Sequence, residues 1–334
     1  MDMNTFLTTL YVYVDDWYKA EIPDTIARRR GPDGQLSDSE VLTLALVGQW
    51  RWGVPWQSER GMVRYMQGEG RQWFPGMLGR SRYNERARCL WVVLIKLQQG
   101  LAEQLGSRTA LYEVVDCVPL PSCSTAQSRK KRHWLNWGTR GHGGTQGWYW
   151  GDQVVMSVTP DYAITGWLIG PANVDDRVML QGLLMHRAGQ SIFLLPTAWR
   201  PHRQLAAPDF LHPLQACGQA SVGHMYVADK GFNGFRWQRH WFQLFGVCVV
   251  TEPTNNLKPA DWPTRWSTSL RSMRQVVETT FALLSTAFDL QHLHTHSLWG
   301  QLTRLAAISA AFNWGIWLNR QVGRPPLSHA TLLF

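Results

Sequence analysis

The chain has 334 residues, enough for two domains or for one large domain with additions. Hydrophobic residues make up 45% of it and charged residues 17%, which excludes a disordered chain. The formal net charge is +9, which points to an acidic polymer as partner, most simply nucleic acid. Nineteen Trp, twelve Phe and nine Tyr supply ring surface for stacking on bases as well as for a core. The five Cys stand at 89, 117, 123, 217 and 248. None has the C-x-x-C spacing of a zinc site, and an odd, scattered set is no disulfide framework, so reduced thiols and a cytoplasmic setting are expected. The N-terminus, Met1-Asp-Met-Asn-Thr-Phe-Leu7, has no signal-peptide pattern, and no apolar run reaches the ~18 residues that span a bilayer.

Residues 1–107 read as a helical N-terminal domain for DNA binding or dimerisation. Thr5 to Trp17 is amphipathic at helical spacing, with Phe6, Leu7, Leu10, Val14 and Trp17 on one stripe. Arg28 to Gly34 is a basic, turn-rich break. Ser37 with Glu40 three residues on is a capping-box pattern that opens a helix through Val41–Val47. A further helix is expected near Trp56–Tyr65, a turn at Phe74-Pro-Gly76, and a basic helix at Ser81–Arg88 carrying Arg82, Arg86 and Arg88, with Arg80 just before it.

Near Gly106 the pattern changes to strands. Leu111–Val118 is an apolar strand that carries a bare carboxylate, Asp116, between apolar neighbours. A buried, unpaired charge there costs several kcal/mol, so a metal ion or a hydrogen-bond network must compensate. Pro119 and Pro121 are expected to end the strand. Arg129, Lys130, Lys131 and Arg132 then form a basic run suited to phosphate contacts. Gln153–Val158 and Ile164–Ile169 read as a hairpin, and Gly170–Asp176 as the start of a helix capped by Asn173 or Asp175. Asp175 and Asp176 are read as structural. Met225–Asp229 repeats the logic of the first strand, an apolar strand ending in a carboxylate. The turn Lys230–Gly234, a helix Phe235–Phe245 and a strand Val247–Thr251 continue a β-α-β rhythm, which argues for a sheet covered by helices. Thr254–Thr268 reads as a loop. From Arg271 a long helix places Arg271, Arg274 and Glu278 on one face by their spacings of three and four. His292, His294 and His296 alternate without a carboxylate or thiol close by, a weak basis for a metal site. Leu302–Leu318 reads as a closing apolar helix that packs on the sheet.

Taken in order, Leu36–Leu44, Ser81–Asn84, Val115–Cys123, Gly170–Asp176, Ala228–Phe232 and Val277–Phe281 resemble the DDE transposases of bacterial insertion sequences, within them the IS982-like group. The resemblance implies an α/β chain. An RNase H-like catalytic domain, a mixed sheet flanked by helices, would cover 108–322, with a helical domain before it and a tail at 323–334. It carries over Asp116, Asp229 and Glu278 as the catalytic and metal-binding acids, with two Mg²⁺ or Mn²⁺ ions as cofactor. The interval from Asp229 to Glu278 is 49 residues (278 minus 229), too short for a large inserted domain. Arg274 matches the arginine of the family's signature helix. Arg271 stands where the wider signature has Tyr, and Ser285 where it has Lys. The implied DNA contacts are Arg271, Arg274, Lys230 and Arg129–Arg132. The implied activity is cleavage at the element's ends and strand transfer into a target, by a homodimer holding double-stranded DNA, with no membrane and no small-molecule substrate. The competing readings are an RNase H-like DNA nuclease without strand transfer and an inactivated transposase that only binds DNA.

Overall fold

The structure is a computed structural model that describes residues 1–22, 35–124, 138–143, 147–188, 216–218, 225–253, 263–295 and 297–333. The helices are α1 Met3–Glu21, α2 Asp38–Val47, α3 Glu59–Gln67, α4 Arg80–Cys89, α5 Trp91–Gln104, α6 Asp176–Arg187, α7 Phe235–Phe245, α8 Thr264–Ala287 and α9 Leu298–Gln321. The strands are β1 Tyr112–Ser124, β2 Thr139–Gly143, β3 Gly147–Val158, β4 Ile164–Pro171, β5 Ala216–Gly218, β6 Met225–Ala228 and β7 Cys248–Thr251. The chain divides into two compact units. One is Met1–Leu101 with Leu284–Leu290 and Trp299–Phe334, the other Ala102–Leu283 with Gln291–Leu298.

The first unit is helical. Its α2 starts at the expected capping box: the Ser37 amide donates to Glu40 Oε2 at 2.6 Å, and the Glu40 amide donates to Ser37 Oγ at 3.1 Å. Val41–Val47 are all buried, so this helix is enclosed on every side. Around it the aromatic residues form the core. Phe6 meets Trp50 and Trp314 edge-on at 5.2 and 5.1 Å, and Phe288 meets Trp50 at 5.0 Å. Arg86 of the basic helix turns back to Asp38 at 2.8 Å, so it is held as a half-buried ion pair. Helix α9 belongs to this unit, whereas the sequence pattern assigned Leu302–Leu318 to the sheet. It is buried almost all round from Gln301 to Asn319, and its small residues admit close neighbours: a Cβ at Gly315 would fall 2.5 Å from His329 Cδ2.

The second unit is built on a mixed sheet of order β5-β4-β3-β1-β6-β7, with β2 beside β3. β1, β3, β4 and β5 pair antiparallel, whereas β1–β6 and β6–β7 are parallel. The β3–β4 hairpin and helices Asp176–Arg187 and Phe235–Phe245 match the sequence pattern. Asp175 is the N-cap of α6, accepting the Arg177 amide at 2.9 Å. One face packs Val115, Val155, Leu168, Tyr226 and Ala228 against Met179, Leu180 and Leu183 of α6 and Trp241 of α7.

Among the boundaries that differ from the sequence reading are the end of β1 and the start of α8. β1 does not stop at its prolines but pairs with β3 through them, Pro119 opposite Gln153 and Pro121 opposite Gly151. The reason is that β6 accompanies β1 only over Tyr112–Val115. Beyond that point β1 has no strand on its second side among the described residues, and proline is tolerated where its missing donor faces no partner. Helix α8 begins at Thr264, so the part of the expected loop within 264–268 is helical. Its buried positions Ser267, Val277, Thr280, Leu284 and Ala287 form a helical stripe that the polar surroundings conceal.

Candidate active site

Parallel pairing sets Val115 of β1 opposite Ala228 of β6. The next residue on each strand is an aspartate, Asp116 and Asp229, so in-register pairing brings the two acids side by side where β6 ends. Helix α8 supplies the rest of the cluster. Arg274 Nη1 lies 3.1 Å from Asp229 Oδ1, and its Nη2 lies 3.9 Å from Asp116 Oδ2 and 3.5 Å from Glu278 Oε1. One guanidinium thus touches three carboxylates drawn from a central strand, a strand end and a helix. The acids are graded in exposure, with side chains 22%, 42% and 58% accessible for Asp116, Asp229 and Glu278.

Asp116 is the inner member. Its Oδ1 accepts the Cys117 amide at 2.8 Å. Burial pushes its pKa up to about 7, against the opposing pull of the Cys117 amide and Arg274, while Asp229 and Asp176 add to the rise. One guanidinium does not neutralise this centre.

Asp176, read from the sequence as structural, lies beside this cluster. Because Asp175 alone caps α6 and pairs with Arg177 at 2.7 Å, the Asp176 carboxylate is released to the sheet. There it accepts the Cys117 thiol, its Oδ2 lies 3.2 Å from where a Cβ on Gly231 would sit, and burial raises its pKa. The available signal was the doubled Asp at a helix start, where one cap suffices.

Lys230 and Arg271 are expected phosphate contacts, yet the structure turns both to Glu252, just past β7, at 3.4 and 3.6 Å. Glu252 also accepts the Ser267 hydroxyl at 2.8 Å, and these partners, Ser267 foremost, hold its carboxyl below the usual range. Arg129, Lys130, Lys131 and Arg132 lie outside the described residues, as does His296. His292 and His294 stack on each other at 6.1 Å.

Among the described residues, no group of three or more His, Cys, Asp or Glu stands ready to hold a metal ion. The chemistry of the donor set nevertheless fits one. Asp116, Asp229 and Glu278 offer only carboxylate oxygens, the ligands of hard divalent cations, and Arg274 now lies where positive charge is needed. Among the described residues no helix is long and apolar enough to cross a membrane. Comparisons with protein-family models, with curated proteins and with solved structures find no match to this chain.

Proposed function

We propose that the second unit is the RNase H-like core of a DDE transposase, which cuts DNA at the ends of an insertion sequence and joins them to a target. The single observation that carries this reading is the meeting of Asp116, Asp229 and Glu278 around Arg274. Their order along the chain, strand, strand end and late helix, is that of the resemblance, and the mixed sheet with its helices is compatible with it.

In this reading the three acids hold Mg²⁺ or Mn²⁺. When bound, such a pair of ions activates a water or 3′-hydroxyl and stabilises the leaving oxygen of a phosphodiester. The chain's own residues set up that chemistry. Asp116 is fixed by the Cys117 amide, and Asp229 by the end of β6. Arg274 bridges the three carboxylates, and its guanidinium would serve a phosphate oxygen where those acids would hold a cation. Lys230 and Arg271 add positive charge beside Glu252.

The test is cleavage of a labelled duplex carrying the element's own end, with Mg²⁺, Mn²⁺ or EDTA, for the wild type and Glu278→Gln. Metal-dependent 3′-hydroxyl ends that join to a plasmid, absent in the variant, are expected. Cutting without joining would turn the reading to a nuclease. Tight binding with no cutting under any metal would turn it to a DNA-binding protein.

A further inference from the structure

Strands β2 and β3 form a ribbon at the start of β3, paired from Thr139 opposite Gly151 to Gly143 opposite Gly147. One side of the ribbon is anchored. A Cβ at Gly141 would fall 2.6 Å from Ala172 Cβ and 2.9 Å from Tyr149 Cζ, so the backbone there is pressed against its neighbours. Thr139 Oγ1 accepts the Asn173 amide at 3.2 Å. The other side is open and carries Arg140, His142 and Trp148. Trp148 is 56% exposed. Arg140 Cζ lies 4.1 Å above the centre of its ring, and His142 meets that ring edge-on at 5.0 Å. No carboxylate pairs with Arg140 among the described residues. A large indole is therefore held with a guanidinium over one face and an imidazole at its edge, and more than half of its surface stays exposed.

We infer that this ribbon face is a stacking platform for an unstacked base of a DNA strand. Trp148 takes the base, and Arg140 and His142 take the adjoining phosphates. The inference rests on the DNA reading above. The Arg140 guanidinium and the chain's net charge of +9 favour a polyanion. An acidic peptide would satisfy Arg140 but leave the indole uncovered, whereas a nucleotide brings a π-face and a phosphate in one unit. The placement agrees. Trp148 and Met156 lie an even number of residues apart, so they share one face of β3 by strand alternation, and Met156 is the partner of Asp116. Eight residues (156 minus 148) at about 3.3 Å each set the ring about 26 Å along the strand from the acids. At about 3.4 Å per nucleotide of one duplex strand, that is about eight nucleotides from the phosphate being cut.

The test uses the full chain in EDTA, so that no cutting intervenes, and two probes. One is a duplex with a single-stranded overhang that carries 2-aminopurine at successive positions, the other the same duplex fully paired. The wild type is expected to quench 2-aminopurine at one or two overhang positions. Trp148→Leu should abolish that quench and weaken overhang binding about ten-fold, with paired-duplex affinity changed less than about two-fold. Trp148→Phe, a smaller ring for the same site, should retain part of both. Arg140→Gln should lower the slope of log affinity against log salt by about 0.7. Unchanged quench and affinity in Trp148→Leu, with DNA still bound, would overturn the platform and leave the transposase reading intact. A wild type that binds neither probe would overturn the DNA reading and the platform with it.

Discussion

The second unit contains two arginine–carboxylate clusters three residues apart on β1, and they are opposites. Glu113 pairs with Arg187 at 2.7 Å, and both side chains are only 3% exposed. Arg187 also reaches Tyr226, Ser157 and Thr165, and Thr165 donates to Glu113 at 2.7 Å. That is one positive charge, one negative charge and a shell of hydroxyls, a closed network. Arg274, in contrast, faces three carboxylates, with Asp176 near two of them. The closed cluster joins β1 to α6 and balances its charge internally. The open cluster has negative charge in excess at an accessible strand end, and that surplus is what a cation or a phosphate-bearing ligand with its metal would answer. The contrast shows why a buried ion pair by itself says little of function. What distinguishes the site is the imbalance.

The same chemical change on β1 separates the two. Asp116→Asn is expected to lower cleavage by at least about 1,000-fold, equivalent to about 4 kcal/mol, with unfolding stability kept within about 1 kcal/mol. Cleavage assays beside urea unfolding check it, and retained cutting by a folded variant would refute the assignment. Glu113→Gln should do the reverse. It leaves Arg187 buried without its counter-charge and costs about 3–5 kcal/mol of stability, whereas Glu113→Leu with Arg187→Met recovers most of that loss. Equal stability of the single and double variants would show that the pair is not closed. The smallest effect sharpens the comparison with a buried group that has no charged partner among the described residues. His329 lies under Phe312, its Nε2 3.1 Å from the Phe312 carbonyl, and burial holds its pKa below the usual range. The unfolded chain takes up a proton below about pH 6.5. The folded chain resists it, so stability present at neutral pH falls on acidification, by at most about 1.4 kcal/mol per pH unit. Unfolding at pH 7 and pH 5 should show that loss in the wild type and a smaller one in His329→Gln.

Much of this was written locally. An apolar run leading into a carboxylate appears twice, and parallel in-register pairing needs nothing more to join Asp116 to Asp229. Spacing of four put Arg274 with Glu278, and the box at Ser37 and Glu40 depends on neighbours alone. What stayed hidden depends on tertiary facts. Pro119 and Pro121 sit inside a strand because β6 is short, and no pattern within β1 reports the length of another strand. Glu252 claims Lys230 and Arg271 from just past β7. The apolar surface of α9 fits a sheet as well as a helical bundle, and only the surrounding aromatic residues decide between them.

The prolines of β1 have one further consequence. Past Val115 the donors of Cys117 and of positions 119 and 121 point away from β3 by alternation. The first is bound by Asp116 itself, and the other two do not exist. A bare strand edge invites a strand from another molecule to zip onto it. Here the edge beside the acids offers no row of donors to such a visitor. That flank can stay without a partner strand and still give another strand little to pair with.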